Sequence, residues 1–235
     1  VGAFAGDLDA VQAKGAGNVA AAARDAGATA LVHVSAIGAD AESGVAYART
    51  KALGEEAVKA AFPEATILRP SILFAEDDAF VTMFAGLIAR LPLLPVFAPQ
   101  AKFQPAFVDD AAEAVGNVLA NAGTHAGKIY EIAGPEQISM IALNRKIAAA
   151  QGRARVFAEL PDAVSCAIAT GTGWLPGAPL SRDQWALLQK GNVASGTLPG
   201  LAELGVKARP LELFLDRWMV RFRKYGRFGV KAKAA

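Results

Sequence analysis

Tyr47 and Lys51 stand four residues apart, a spacing that puts both side chains on one face of a helix. An ammonium beside a phenol favours the phenolate, lowers its pKa and lets tyrosine serve as a general acid or base. Such a site is completed by a serine at the end of the preceding strand, and Ser35 holds that place. The same residues have plainer readings: an exposed pair on a helix, and a serine that ends its strand by bonding backbone. Asp77-Asp78 and Asp109-Asp110 could be paired carboxylates, but each pair opens an expected helix, where acids cap N–H groups and suit the dipole. His33 falls mid-strand and reads as packed and hydrogen-bonded, while His125 falls in a glycine-rich turn. Cys166 is the only cysteine, which leaves no disulfide or cysteine-based zinc site, and no metal site is expected.

The elements that would position these residues follow from the apolar pattern. Leu8, Val11, Ala16, Val19 and Ala23 make one stripe of a helix over 8–26 that Asp7 can cap. Residues 30–35 and 65–69 are short, nearly continuous apolar runs, as parallel strands buried on both faces require, and the second is broken by Pro70. Between them lies a helix over 47–62, stopped by Pro63. Helices over 79–91 and about 109–121 precede a third strand over 128–133. Further helices are expected over 139–151, 161–170, 181–190 and 211–225, with a short strand over 155–159. This alternation predicts an α/β chain: a Rossmann-like, doubly wound parallel sheet lacking its first strands, with a smaller α-rich C-terminal lobe. The boundary is placed between residues 135 and 136.

Several segments together resemble the extended short-chain dehydrogenase/reductase family, which includes NAD-dependent epimerases and dehydratases and binds NAD or NADP. Gly15 to Ala23 (GAGNVAAAA) is similar to the family's G-T-x-N-V-x-x-A-A helix, and Tyr47 to Glu56 (YARTKALGEE) to its active-site helix. Leu68 to Phe74 (LRPSILF) is similar to its R-P-x-x-x-(F/Y) segment, and Val108 to Ala112 (VDDAA) to its V-x-D-x-A helix start. Residues 33–40 (HVSAIGAD), 103–112 (FQPAFVDDAA), 129–136 (IYEIAGPE) and 220–229 (VRFRKYGRFG) resemble an atypical branch allied to the nucleotide-binding accessory subunit of respiratory complex I.

The resemblance implies that Tyr47 moves a proton, that Lys51 lowers its pKa and binds the nicotinamide ribose, and that Pro70, Ser71 and Ile72 border the nicotinamide. Family members usually carry the working serine one or two residues beyond Ser35, where this chain has Ala36 and Ile37. Two readings stay open: an oxidoreductase or epimerase, or a module that holds its nucleotide without turning it over.

The glycine-rich turn that cradles a dinucleotide pyrophosphate follows the first strand of such folds. Val1 to Phe4 resembles the end of the fourth strand, with Gly2 beside the cofactor, so the turn and three strands are read as absent and cofactor binding as impaired. Gly15-x-Gly17-x-x-Ala20 imitates the motif in letters only, since no strand precedes it; close packing of a helix against the sheet explains its glycines.

Apolar residues make up 53% of the 235 and charged residues 20%, which reads as a globular chain. Residues 217–235 hold seven basic residues and no acid, leaving 17 basic against 22 acidic residues elsewhere, a balance of −5. Leu211, Leu215, Trp218, Phe222 and Tyr225 form a stripe beside that charge. The segment reads either as a last helix docked on its lobe or as a basic amphipathic surface for respiratory complex I or a membrane. Nucleic acid is not an expected partner, because no stacking platform accompanies the charge. No export signal or apolar span is seen, so the expectation is a cytoplasmic protein, peripheral on the inner membrane.

Overall fold

The computed structural model describes residues 7–172 and 181–228. The chain forms α1 (Gly15–Asp25), β1 (Val32–Val34), α2 (Ala46–Ala61), β2 (Thr66–Pro70), β3 (Leu73–Phe74), α3 (Ala79–Arg90), β4 (Leu93–Val96), β5 (Lys102–Phe103) and β6 (Ala106–Phe107). It continues with α4 (Val108–Ala120), α5 (Ala122–His125), β7 (Ile129–Ile132), β8 (Ile138–Ser139), α6 (Met140–Ala150), β9 (Val156–Glu159), α7 (Asp162–Thr172), α8 (Arg182–Lys190) and α9 (Glu212–Trp218). Two compact units share these elements. The first takes the described residues up to Ser71, Ala106–Gly134 and Val193–Arg209; the second takes Ile72–Pro105, the described part of Pro135–Asn192, and the chain from Pro210. The chain passes from one unit to the other several times, where the sequence suggested one cut between residues 135 and 136.

In the first unit β1, β2 and β7 form a parallel sheet in that order, with His33 opposite Ile67 and Leu68 opposite Tyr130. Ile67, Leu68 and Ile132 are fully buried, as the unbroken apolar runs require. Pro70 does not break β2 but ends it, opposite Ile132. Ala20 of α1 and Val58 of α2 are buried together with Phe62 and Ala65, so the small residues of α1 serve a helix–helix contact. A Cβ on Gly17 would lie 3.0 Å from the Ala57 Cβ, and one on Gly54 would collide with the Gln12 carbonyl oxygen. The partner that Gly17 serves is therefore helix α2, not the sheet. The helix begins with a π-type stretch, Asp9–Lys14, where the Asp7 carboxylate accepts the Asp9 amide (3.0 Å).

Asp110 corrects the expectation for α4. The N-cap is Phe107, with no side-chain cap bond, and Asp110 is fully buried. Its carboxylate accepts the Arg209 backbone N–H (2.7 Å) and Nε–H (2.5 Å), and the same guanidinium lies over the Phe107 ring. A local acidic pair reads as a cap because the sequence does not display a partner 99 residues away.

In the second unit α3 packs on α6, and the buried Gln151 amide reaches the Ala85 carbonyl (2.9 Å). Asp78 caps α3 through Val81 N (2.6 Å), and Ser181 with Gln184 forms a capping box on α8. β4 pairs with β9 in parallel and β5 with β8 antiparallel. Trp185 is buried, and Trp218 stacks on Phe214 at 4.7 Å. The closing helix expected over 211–225 stops at Trp218 and gives way to 3-10 turns, Met219–Phe222 and Gly226–Phe228. Arg223 holds the break, its guanidinium donating to the Ala150 and Asp216 carbonyls (both 3.1 Å).

Gly54→Ala tests the α1–α2 contact. The added methyl forces the helices apart and lowers the unfolding free energy by about 1–3 kcal/mol, read by urea denaturation.

Candidate functional site

The site grows from the carboxyl ends of parallel strands, where open α/β sheets place their ligands. Ser35 N donates to Leu68 O (2.8 Å), Ile37 N to Pro70 O (2.9 Å) and Ser71 N to Ile132 O (2.9 Å). The chain thus runs on beyond β1 and β2 with its backbone still paired, which puts Ser35, Pro70 and Ser71 on one edge. Lys51 brings α2 to that edge, its ammonium donating to the Val34 carbonyl (3.3 Å). Tyr47 shares the Lys51 face one turn earlier and is half-buried. Ile72 opens the second unit, where its N–H donates to Asn192 Oδ1 (2.8 Å). Gly2 lies outside the described residues.

Burial pushes the Tyr47 phenol above its ordinary value of 10.0, opposite to the lowering the sequence suggests. Burial also lowers the Lys51 ammonium, against the pull of Glu55. The lysine that should stabilise a phenolate is turned to a strand carbonyl instead. Ser35 is buried, and its Oγ has no hydrogen-bond partner among the described residues. The backbone-bonding reading of Ser35 holds for its N–H and leaves the hydroxyl unspent.

Glu55 and Arg69 belong to quoted motifs, but their pairing escapes the sequence reading. Glu55 follows Lys51 by four residues on α2 and is 4% exposed. Arg69 of β2 grips it with two parallel bonds, Nε to Oε1 (2.8 Å) and a terminal nitrogen to Oε2 (2.7 Å). The hydrogen bond to Glu55 chiefly holds the guanidinium above its usual pKa. The detectable signal was the i, i+4, i+8 row Tyr47, Lys51, Glu55 followed by an arginine in the next strand.

His33 is a second correction. Its Nε2 is buried without a hydrogen-bond partner among the described residues. Burial first, and the Lys51 ammonium second, hold its pKa below the ordinary 6.5, with Glu55 pulling upward. His125 is buried in α5, with Nδ1 2.7 Å from the Tyr130 hydroxyl. A cavity of about 440 Å³ beside β1 is walled by Leu8, Val11, Val19 and Leu31, with His33 and Lys51 among its lining.

Tyr47 and Lys51 thus stand at the carboxyl edge of a parallel sheet, and comparison with known proteins shows the family to which this fold belongs. The chain belongs to the family described as RmlD substrate binding domain, whose model matches residues 40–170. Within that class it is related to "NADH dehydrogenase [ubiquinone] 1 alpha subcomplex subunit 9, mitochondrial" of Rattus norvegicus. The two are 31% identical over 210 residues, covering 88% of this chain and 55% of the rat protein. The chain thus spans about half the length of that relative. The "Ceramide reductase" of Caulobacter vibrioides is 39% identical over 102 residues, covering 43% of this chain and 32% of the reductase. The fold matches the NADPH-dependent quinone oxidoreductase QOR2 of Escherichia coli, complexed with NADPH. That match has a TM-score of 0.69 and 22% identity, covering 91% of this chain and 72% of the other.

Two outcomes are expected here. Glu55→Gln strands the Arg69 guanidinium and costs about 3 kcal/mol of unfolding free energy. For His33, the unfolded chain binds a proton at the ordinary 6.5 and the native chain only at lower pH. Acidification below 6.5 therefore favours unfolding, and His33→Gln flattens that part of the stability–pH curve. Urea titrations from pH 7.5 to pH 5.5 read both.

Proposed function

We propose that the chain is the NAD(P)-binding, short-chain-dehydrogenase-like part of a protein associated with respiratory complex I, and that the dinucleotide is a held ligand, not one turned over. The observation carrying this reading is the Lys51 ammonium bonded to the Val34 carbonyl beside a tyrosine whose pKa is raised. That arrangement can grip a ribose hydroxyl but does not prepare a phenolate. Similarity to a complex I subunit, 31% identical over 88% of this chain, supports the same reading.

The edge residues fit the nicotinamide half of the cofactor. Lys51 and Tyr47 would bond the ribose, Pro70, Ser71 and Ile72 would border the ring, and the unspent Ser35 hydroxyl is available to a ligand oxygen. A bound nicotinamide supplies hydride chemistry. Either NAD or NADP suits these contacts. Gly17 of α1 is occupied in packing against Ala57, so the glycine pattern there offers no complete pyrophosphate cradle, and the proposal is that this chain holds the cofactor weakly.

The ceramide reductase similarity favours a second reading, an active NAD(P)-dependent oxidoreductase or epimerase using Tyr47 as general acid/base with Lys51. In both readings the protein is cytoplasmic and peripheral on the inner membrane, and no helix among the described residues is long and apolar enough to cross a membrane. Residues 217–235 are the proposed docking surface toward complex I or the adjoining membrane. Within them Arg217, Lys224 and Arg227 are exposed, while Arg221 also donates to the Glu76 carbonyl. Trp218 and Met219 are buried, so charge reversal tests this surface better than deletion.

NADPH fluorescence titration should give binding weaker than micromolar, further weakened by Lys51→Met; low-micromolar affinity overturns the weak-binding proposal. No NADPH-linked turnover is expected with or without Tyr47→Phe. Turnover that Tyr47→Phe abolishes while binding persists would instead establish the second reading.

A further inference from the structure

Helix α3 has no solvent face of the ordinary kind. Its twelve residues include one charge, Arg90, and its outward stripe runs Ala79, Met83, Leu87 and on to Leu91 beyond its end. A helix apolar on its outer side as well as its inner side is normally covered. Met83 is 51% exposed, and the stripe continues past the helix into Leu93, 53% exposed, and Val156, 65% exposed.

These residues are one surface. Leu93 and Val156 are register partners of β4 and β9, Val156 N donates to Pro92 O (3.1 Å), and Arg155 Nε donates to the Ile88 carbonyl (2.8 Å). The Leu91-Pro92-Leu93 turn therefore stands out beside Val156 as an apolar tip. Its surroundings are cationic. Arg90 is exposed in the last turn of α3 and Arg155 is tied to the end of the same helix, while the neighbouring Arg153 guanidinium donates to the Phe222 carbonyl. The exposed acids Glu76 and Asp77 lie at the opposite end of α3, about 18 Å away along a helix of this length. Glu159, at the far end of β9, is engaged by Arg145.

We propose that this tip, Met83, Leu87, Leu91, Leu93 and Val156 with Arg90 and Arg155, is an interfacial docking site for an anionic lipid bilayer, made of residues other than the 217–235 segment. Charge chooses the occupant. A second copy pairing two-fold through the tip would set the arginine cluster against itself, whereas leucines entering the acyl boundary carry the arginines to the phosphate level. A leucine tip with a basic collar is the composition of interfacial membrane anchors.

The test is co-sedimentation of the purified chain with vesicles of phosphatidylcholine alone and of phosphatidylcholine with phosphatidylglycerol. Binding should prefer the anionic vesicles and weaken with salt. Leu93→Glu should lower the partition coefficient by roughly tenfold or more, the effect of withdrawing one leucine side chain. Arg90→Glu should lower it by roughly fivefold to tenfold, and circular dichroism should be unchanged in both. Equal binding of Leu93→Glu and the parent overturns the proposal, as does failure of the parent to bind anionic vesicles. A concentration-dependent dimer lost in Leu93→Glu would assign the tip to a second copy and equally overturn it. Loss of binding only on reversing Arg217, Lys224 and Arg227 would transfer the membrane contact to the terminal segment. None of these readouts involves nucleotide, so their failure is separate from failure of the cofactor proposal.

Discussion

The bidentate pair between Glu55 and Arg69 fixes the first unit at the point where its chemistry would be done. Burying a carboxylate costs several kcal/mol unless both of its oxygens are matched, and the planar guanidinium matches them with two bonds. The pair joins the middle of α2 to the penultimate residue of β2, so the helix cannot slide or roll on the sheet without breaking both bonds. Everything else on that helix face inherits its position. Lys51 is one turn away, its ammonium delivered to the end of β1, and Tyr47 is one turn further. On the other side α2 is set by contact without charge, where the missing side chains of Gly17 and Gly54 let α1 close onto it.

The elements closest to this lock were the most legible in the sequence. Two apolar runs around a helix with Tyr47 and Lys51 on one face already imply parallel strands and a ligand edge, because burial on both faces leaves no alternation to misread. The remainder depended on distance in sequence. Asp110 resembles a cap locally and becomes a buried anchor only through Arg209. His33 looks satisfied until its surroundings are assembled and Nε2 is found without a partner among the described residues. The closing helix fails because Arg223 finds the Ala150 carbonyl, a tertiary contact that periodicity cannot register. The Tyr47–Lys51 relation is subtler: the spacing fixes the face but not where a flexible four-carbon side chain sends its ammonium.

That last point bears on what the fold is for. A family scaffold can keep its cofactor contacts while losing the electrostatic coupling that makes a proton mobile, because binding and activation call on different atoms of the same residues. Here the ammonium is bonded to backbone, the phenol is desolvated and the serine hydroxyl is buried without a partner among the described residues. Those features are the ones the proposal of a held ligand rests on. The relation to a respiratory-complex subunit agrees with that emphasis.

The aromatic residues are divided between the units in a way that has an optical consequence. Both described tryptophans, Trp185 and Trp218, are buried in the second unit, and Trp218 is stacked on Phe214. The first unit absorbs and emits instead through Tyr47 and Tyr130, one on the helix that bears the ligand edge and one buried against His125. Among the described residues, excitation at the red end of the tryptophan band therefore reports on the second unit. Tyrosine emission is shared, because Tyr225 lies exposed in the second unit, so of the two bands only the tryptophan one separates the described parts of the units.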